Sequence, residues 1–266
     1  MRALTGRLLE LLRGLDEAQW SRPTALVGRS VKDLVAHLLH GSVRRVTMLR
    51  DRYRGPMPEI RSNDDLIAFI QADNRRFMDG MRGVSPQILI ESIERYDLLM
   101  IEQFESTDAD APGLPVSWAG DDASPHWFDV AREYTEKWHH QQQVRDAVGA
   151  DGLYDAALFE PLMETFARGS GHALRDVAGD DGERVRVALF GATTQSWILR
   201  HEAGTWALFE DDGGSVGRSV GAPAEEVWKP WTCSAAPASV RDALHGDARI
   251  ADAIARMIVV MAPRPA

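Results

Sequence analysis

Apolar residues recur at helical spacing from Ala3 to Val148, and strict alternation appears only after Glu183. That order constrains the fold more than anything else in the chain. Strands and helices that interleaved from the start would predict a parallel sheet with crossovers; helices followed by strands predict an all-helical N-terminal domain and a smaller α+β domain behind it.

The helical part divides at its breakers. Leu4, Leu8, Leu11, Leu12 and Leu15 mark a first helix. Pro23 breaks the chain after Trp20, and Ser30 is placed to cap a long helix from Val31 to Arg54. Ser62 or Asn63 caps a third helix through Met81. Ser85-Pro86 starts a fourth, filled by Ile88 to Phe104, with Pro86 tolerated in the first turn. Asp108 to Ser124 is a long loop rich in Pro, Gly and Asp. A helix from Pro125 to Val148 follows, then another from Ala156 to Val177. Val185, Val187 and Leu189 alternate with polar or small residues as a strand does. Gln195–Glu202 and Thr205–Glu210 read as a hairpin about Ala203-Gly204. A short helix to Trp231 and an amphipathic helix from Asp247 to Met261 complete the chain, and Pro263-Arg264-Pro265-Ala266 reads as a frayed tail. The Gly- and Asp-rich stretch from Gly149 to Asp155 is the expected boundary, between domains at residues 1–152 and 153–266.

Composition then removes whole classes of function. A formal net charge of −10 argues against nucleic acid and anionic membranes as partners, since both select a basic face. Cys233 is the single cysteine, so an intramolecular disulfide and a Cys-rich zinc site are both excluded, and any metal must be held by His and carboxylates. No stretch approaches the ~20 apolar residues of a membrane span. With no signal-like run after Met1, a cytoplasmic protein acting on a small molecule is expected. The oligomeric state is left open, a homodimer among the readings.

The densest chemistry lies in Glu133-Tyr134-Thr135-Glu136-Lys137-Trp138-His139-His140. Glu136 and His140 are four residues apart, so a helix stacks them on one face. His139 is turned about 100° from His140 and should point elsewhere. The aromatic side of this helix carries Trp127, Tyr134 and Trp138. The other side carries Asp129, Glu133, Glu136, His140 and Gln143 without Lys or Arg, which suits a lined cavity better than a solvated face. On the second helix His37 falls at the edge of the apolar arc of Val31, Leu34, Val35 and Leu38, in line with Gly41 and Arg44, whereas His40 falls nearer the polar back. Alone, His37 reads as a partly buried histidine that merely hydrogen-bonds. Together, His37, Glu136 and His140 form a two-His, one-carboxylate donor set for a divalent metal, with room for water or substrate. Zinc is the default ion; nickel, iron and manganese are left open by the ligand types. Trp118, in the long loop, is a candidate for a pocket mouth. Cys233 reads as structural.

These residues resemble a known family. Trp20-Ser21-Arg22-Pro23-Thr24, Asp33-Leu34-Val35-Ala36-His37-Leu38 and Thr135-Glu136-Lys137-Trp138-His139-His140 are similar to the N-terminal metal-binding domain of the mycothiol-dependent maleylpyruvate isomerase family, within the DinB-like superfamily. The resemblance implies a DinB-like four-helix bundle over residues 1 to 150. It implies metal ligation by His37, Glu136 and His140, and a low-molecular-weight thiol as cofactor. Glu225-Glu226-Val227-Trp228 and the strands before it are similar to the smaller sterol-carrier-like domain that often follows. One departure stands out: Thr232-Cys233-Ser234 occupies the place where family members often carry a Gly-Arg pair whose Arg is thought to help the isomerase reaction.

The resulting expectation is a metal-dependent thiol transferase or isomerase acting on a small electrophile. Two alternatives stand beside it: a DinB-like hydrolase that activates water without thiol, and a non-catalytic small-molecule-binding protein.

Overall fold

The computed structural model describes residues 1–262. The expected frayed tail, Pro263–Ala266, lies outside the described residues. The chain forms two units. One comprises residues 1–114 and 125–152; the other comprises residues 115–124 and 153–266.

The first unit is helical: α1 (Arg2–Arg13), α2 (Glu17–Trp20), α3 (Val31–Leu49), α4 (Asn63–Met81), α5 (Pro86–Ser106) and α6 (His126–Val148). Its helices start where side chains can satisfy free backbone donors. The Ser30 hydroxyl accepts from Asp33 N–H while Asp33 reaches back to Ser30, a capping box, and Ser62 and Ser85 cap α4 and α5. α3 is the hub, packing against α5, α4 and α6, while α1 lies against α5 and α6. Leu8, Leu12, Val31, Leu34, Val35, Leu38, Leu89, Ile93 and Val144 form the main core, and Val46, Met100, Ile101 and Phe104 a second cluster. α3 is shorter than expected, ending at Leu49 rather than Arg54. Arg52 takes a left-handed conformation with φ 51°, and no residue of 50–54 is buried, so nothing holds a further turn.

The second unit carries α7 (Ala156–Ala167), α8 (Ser170–Ala173), β1 (Arg184–Phe190), β2 (Ser196–Glu202), β3 (Thr205–Glu210), β4 (Arg218–Pro223), α9 (Ala224–Trp231), α10 (Ala238–Arg241), β5 (His245–Gly246) and α11 (Ala248–Ala255). The sheet order is β3-β2-β1-β4-β5, mixed, with β4 parallel to β1 and the other pairs antiparallel. The expected hairpin forms in register, Glu202 opposite Thr205. Val185, Val187 and Leu189 are all buried, as their alternation requires. Ile198, on the otherwise polar side of β2, is buried as well.

Three expectations for this unit change. The helix anticipated over 156–177 breaks after Ala167, and Gly169 beyond it allows Val259 to pack close, since a Cβ there would lie 2.8 Å from Val259 Cγ1. The last helix stops at Ala255 instead of Met261, because Trp231 takes over its end: the indole donates to Ile254 O at 2.7 Å, and Val259 N–H donates to Trp231 O at 3.0 Å. Strands β4 and β5 have no counterpart in the sequence reading, and β5 is only two residues long. Trp118 is buried within this unit, in the part of the long loop that belongs to it. Among the described residues no helix is long and apolar enough to cross a membrane.

Candidate metal centre

α6 is unusual for a helix packed into a core. Thr135, Lys137, His139, His140, Gln141, Gln142 and Gln143 are all buried along it. Burying that many polar groups is costly unless each finds a partner, and the partners come from neighbouring helices and from α6 itself.

Two clusters result. In the first, Lys137 Nζ donates to Asp97 Oδ1 at 2.8 Å and to Ser42 Oγ at 2.9 Å, the Ser42 hydroxyl donates to the same carboxylate, and Thr5 Oγ1 donates to Asp97 Oδ2 at 2.9 Å. Each of the four side chains comes from a different helix, α1, α3, α5 and α6, so the cluster ties these helices in register. Beside it, Arg45 donates to Glu133 at 2.8 Å and faces Asp129, which also pairs with Arg132. The cations absent from the acidic face of α6 are thus supplied largely by α3. Gly41 permits this approach, since a Cβ there would meet Glu133 Oε1 at 2.9 Å.

The second cluster is the predicted donor set. His37 Nε2 lies 3.8 Å from Glu136 Oε2, His140 Nε2 lies 3.5 Å from the same oxygen, and one donor atom from each residue falls within 4.8 Å of the other two. The imidazoles of His37 and His140 meet edge to face at 4.6 Å. Donors about 2.1 Å from a tetrahedral ion stand about 3.4 Å apart, so these three need only small shifts to surround one. Gln143 Oε1 lies 2.7 Å from His140 Nδ1 and accepts its proton, leaving the Nε2 lone pair aimed at the site. His139 is outside the donor group: its Nδ1 lies 2.7 Å from Thr135 O, while its ring stands 4.0 Å from that of His140. His40 is buried rather than on a polar back: it bonds Asn74 at 3.0 Å, faces Asp73 at 3.3 Å and stacks on Phe77.

Electrostatics suits a cation. Burial pushes His37 down to about 4 and His139 to about 3, so both are neutral near pH 7. Burial alone would raise the Glu136 carboxyl, but the facing imidazoles of His140 and His37 outweigh it and hold the group well below the usual carboxylate range. A neutral His37 imidazole and an ionised Glu136 carboxylate are therefore presented without first losing a proton. They open onto a cavity of about 310 Å³, including the space at its mouth, lined also by Gly41, Arg44 and Asn74.

Sequence reasoning brought together the three donors and missed the tie beside them. A signal for it was present: Asp97 sits four residues after Ile93 and four before Ile101, inside the apolar stripe of α5. Around the departure noted after α9, Thr232 Oγ1 bonds back to Trp228 O and Lys229 O and to Ser234, and burial raises the Cys233 thiol.

Comparison with known proteins is consistent with this architecture. Two solved structures, the mycothiol-dependent maleylpyruvate isomerase and a histidine-to-alanine variant of it, align with TM-scores of 0.52 and 0.51 at 13% identity, covering 86% of this chain and 84% of theirs. At that identity the likeness establishes the fold: a helical N-terminal part and an α/β C-terminal part. No curated protein matches the sequence. The profile of the mycothiol maleylpyruvate isomerase N-terminal domain matches residues 1–145, more than half of the chain, and this protein belongs to that family.

Proposed function

We propose that this protein is a metal-dependent enzyme that uses a low-molecular-weight thiol, of the mycothiol kind, to transfer to or isomerise a small electrophilic molecule. In this reading residues 1–152 form the metal-binding domain and residues 153–266 a separate α+β domain. The observation that carries the proposal is the convergence of His37 Nε2, Glu136 Oε2 and His140 Nε2 at the wall of a cavity, in a chain of this family.

His37, Glu136 and His140 would hold the ion, and the donor set suits zinc. A divalent ion in such a site supplies Lewis acidity that makes a thiol ionise near neutral pH. The protein's own contribution is placement. Gln143 fixes the His140 tautomer. The tie through Lys137 and Asp97 sets α6 against α3 and α5, which places Glu136 opposite His37. Gly41 leaves room for Glu133 to approach α3 beside His37.

The test is twofold. Purified protein should carry close to one equivalent of a divalent metal, and His140→Ala should lose it. Turnover of a panel of electrophiles, maleylpyruvate among them, should require added thiol. Equal rates with and without thiol would overturn the thiol reading and leave the metal site standing. Absence of metal in the wild type after supplementation would overturn the site.

A further inference from the structure

The charged groups lining the cavity can be paired off. Glu133 is held by Arg45, Lys137 by Asp97, and Glu136 faces the two histidines. Arg44 is left over: it lines the same cavity, and among the described residues it has no hydrogen-bond or ion-pair partner. It is not remote from the other charges, since its positive field bears on His37, His40 and Glu133. None of these neighbours accepts its N–H groups.

Its place on the helix matters as much as its solitude. His37, Gly41 and Arg44 fall at i, i+4 and i+7 of α3 and so share one face. Seven residues of helix separate His37 from Arg44 by about 10.5 Å along the axis. A guanidinium there offers five donors in a planar fork, the geometry that matches a carboxylate. Gly41 between them admits the Glu133 carboxylate, whose charge Arg45 already holds. A surface arginine needs no explanation. This one is half-buried inside a cavity whose other charges are already paired, and in so acidic a chain carboxylates capable of neutralising it are plentiful elsewhere.

We infer that Arg44 is an anion anchor: it binds a carboxylate of a small organic ligand whose other end reaches the His37/Glu136/His140 site. The inference builds on the metal reading for that other end, while the Arg44 contact itself needs no metal. The carboxylate could belong to the electrophilic substrate or to an acidic thiol. The shared chemistry is a carboxylate on a guanidinium, and the experiment separates the sources.

The full chain is prepared zinc-loaded, with zinc content measured, and also metal-free. Succinate, its dimethyl ester, N-acetylcysteine and cysteine methyl ester are titrated by calorimetry against wild type, Arg44→Gln and Arg44→Lys. Zinc content and thermal midpoint report folding of each variant. We expect a carboxylate-bearing probe to bind wild type and to lose roughly tenfold to a hundredfold in affinity in Arg44→Gln, as the loss of a charge-assisted pair predicts. Arg44→Lys should recover part of that loss, and the esters should be insensitive to all three side chains. Zinc stoichiometry should be the same throughout. Arg44-dependence with succinate assigns the carboxylate to the substrate; Arg44-dependence with N-acetylcysteine alone assigns it to the thiol. Equal affinity for every acid in wild type and Arg44→Gln, or no acid binding at millimolar concentrations, overturns the anchor even if zinc binds stoichiometrically. Arg44-dependent acid binding by a protein that takes up no zinc would preserve the anchor and overturn the metal reading.

Discussion

Two polar clusters lie side by side in the helical unit, and they are built on opposite rules. Thr5, Ser42, Asp97 and Lys137 close on one another at hydrogen-bond distances, none more than 4% exposed, and Asp97 accepts from three donors. His37, Glu136 and His140 stand at 3.5 and 3.8 Å, too far apart for good hydrogen bonds. They face a cavity, and His37 Nδ1 is buried without a partner. The first cluster spends every donor and acceptor internally, which is what a group that holds helices together must do. The second leaves one ligand atom from each of three side chains facing the others without a good hydrogen bond, an arrangement that a cation between them would satisfy. Satisfaction marks the structural cluster, and the proposed metal site rests on its incompleteness in the other.

The sharpest way to break this distinction is to unpair the tie. Lys137→Met leaves the fully buried Asp97 carboxylate without its cation, and such a change costs about 3–5 kcal/mol. Denaturant unfolding should show that loss. Lys137→Met combined with Asp97→Leu should recover part of it, because the uncompensated charge is gone. If Lys137→Met costs less than about 1 kcal/mol, the range of exposed pairs, the tie does not hold the helices.

The donor cluster should answer in the opposite way. His140→Ala should cost the metal-free protein little, and it should abolish the stabilisation that zinc confers on wild type. With zinc free at a thousand times its dissociation constant, that stabilisation is about 4 kcal/mol. Thermal midpoints with and without zinc measure it. A His140→Ala protein that still gains the full shift would mean that zinc binds elsewhere.

Acid should also distinguish the clusters. His37 is pushed down to about 4 in the folded chain, while an unfolded histidine titrates near 6.5. Between those values the unfolded chain takes up a proton that the folded chain refuses. The stability of the metal-free protein should therefore be flat above about pH 6.5 and fall as the pH drops toward 4. His37 alone accounts for up to about 2 kcal/mol by pH 5. His139, held at about 3, acts in the same direction, and the depressed Glu136 adds a loss below the ordinary carboxylate range. His37→Gln should flatten the curve between pH 6.5 and 5. An unchanged slope would show that His37 does not titrate as a buried neutral base.

The difference between the clusters also explains what could be read from the sequence. The donors were legible because they lie on helices with firm boundaries: Ser30 sets the phase of α3, and the i,i+4 spacing of Glu136 and His140 needs no tertiary knowledge. The tie was not, because Thr5, Ser42, Asp97 and Lys137 lie far apart in sequence, and only the packing of α1, α3, α5 and α6 joins them. The order of helices before strands was plain, and so was the β2–β3 hairpin, where both partners are local. Strands β4 and β5 were not: β4 pairs in parallel with β1 across more than two dozen residues, and its sequence Arg218-Ser219-Val220-Gly221-Ala222-Pro223 carries little alternation. The early ends of α3 and α11 follow the same rule, since the residues beyond them lacked burial or were claimed by tertiary contacts.

The finest test concerns one hydrogen bond that belongs to neither extreme. Gln143 is buried and accepts from His140 Nδ1 at 2.7 Å, and so determines which nitrogen stays free. Removing such an orienting partner weakens metal affinity by about 10- to 100-fold in comparable sites. Gln143→Leu should fall at the low end, roughly tenfold, because packing still restrains the ring. The effect should appear in competition with a chelator, with zinc stoichiometry preserved at saturation. Gln143→Glu should bind zinc at least as tightly as wild type, since a carboxylate accepts the same proton more strongly. An affinity unmoved by Gln143→Leu would mean that the His140 tautomer is set by packing alone. A loss equal to that of His140→Ala would place Gln143 among the ligands.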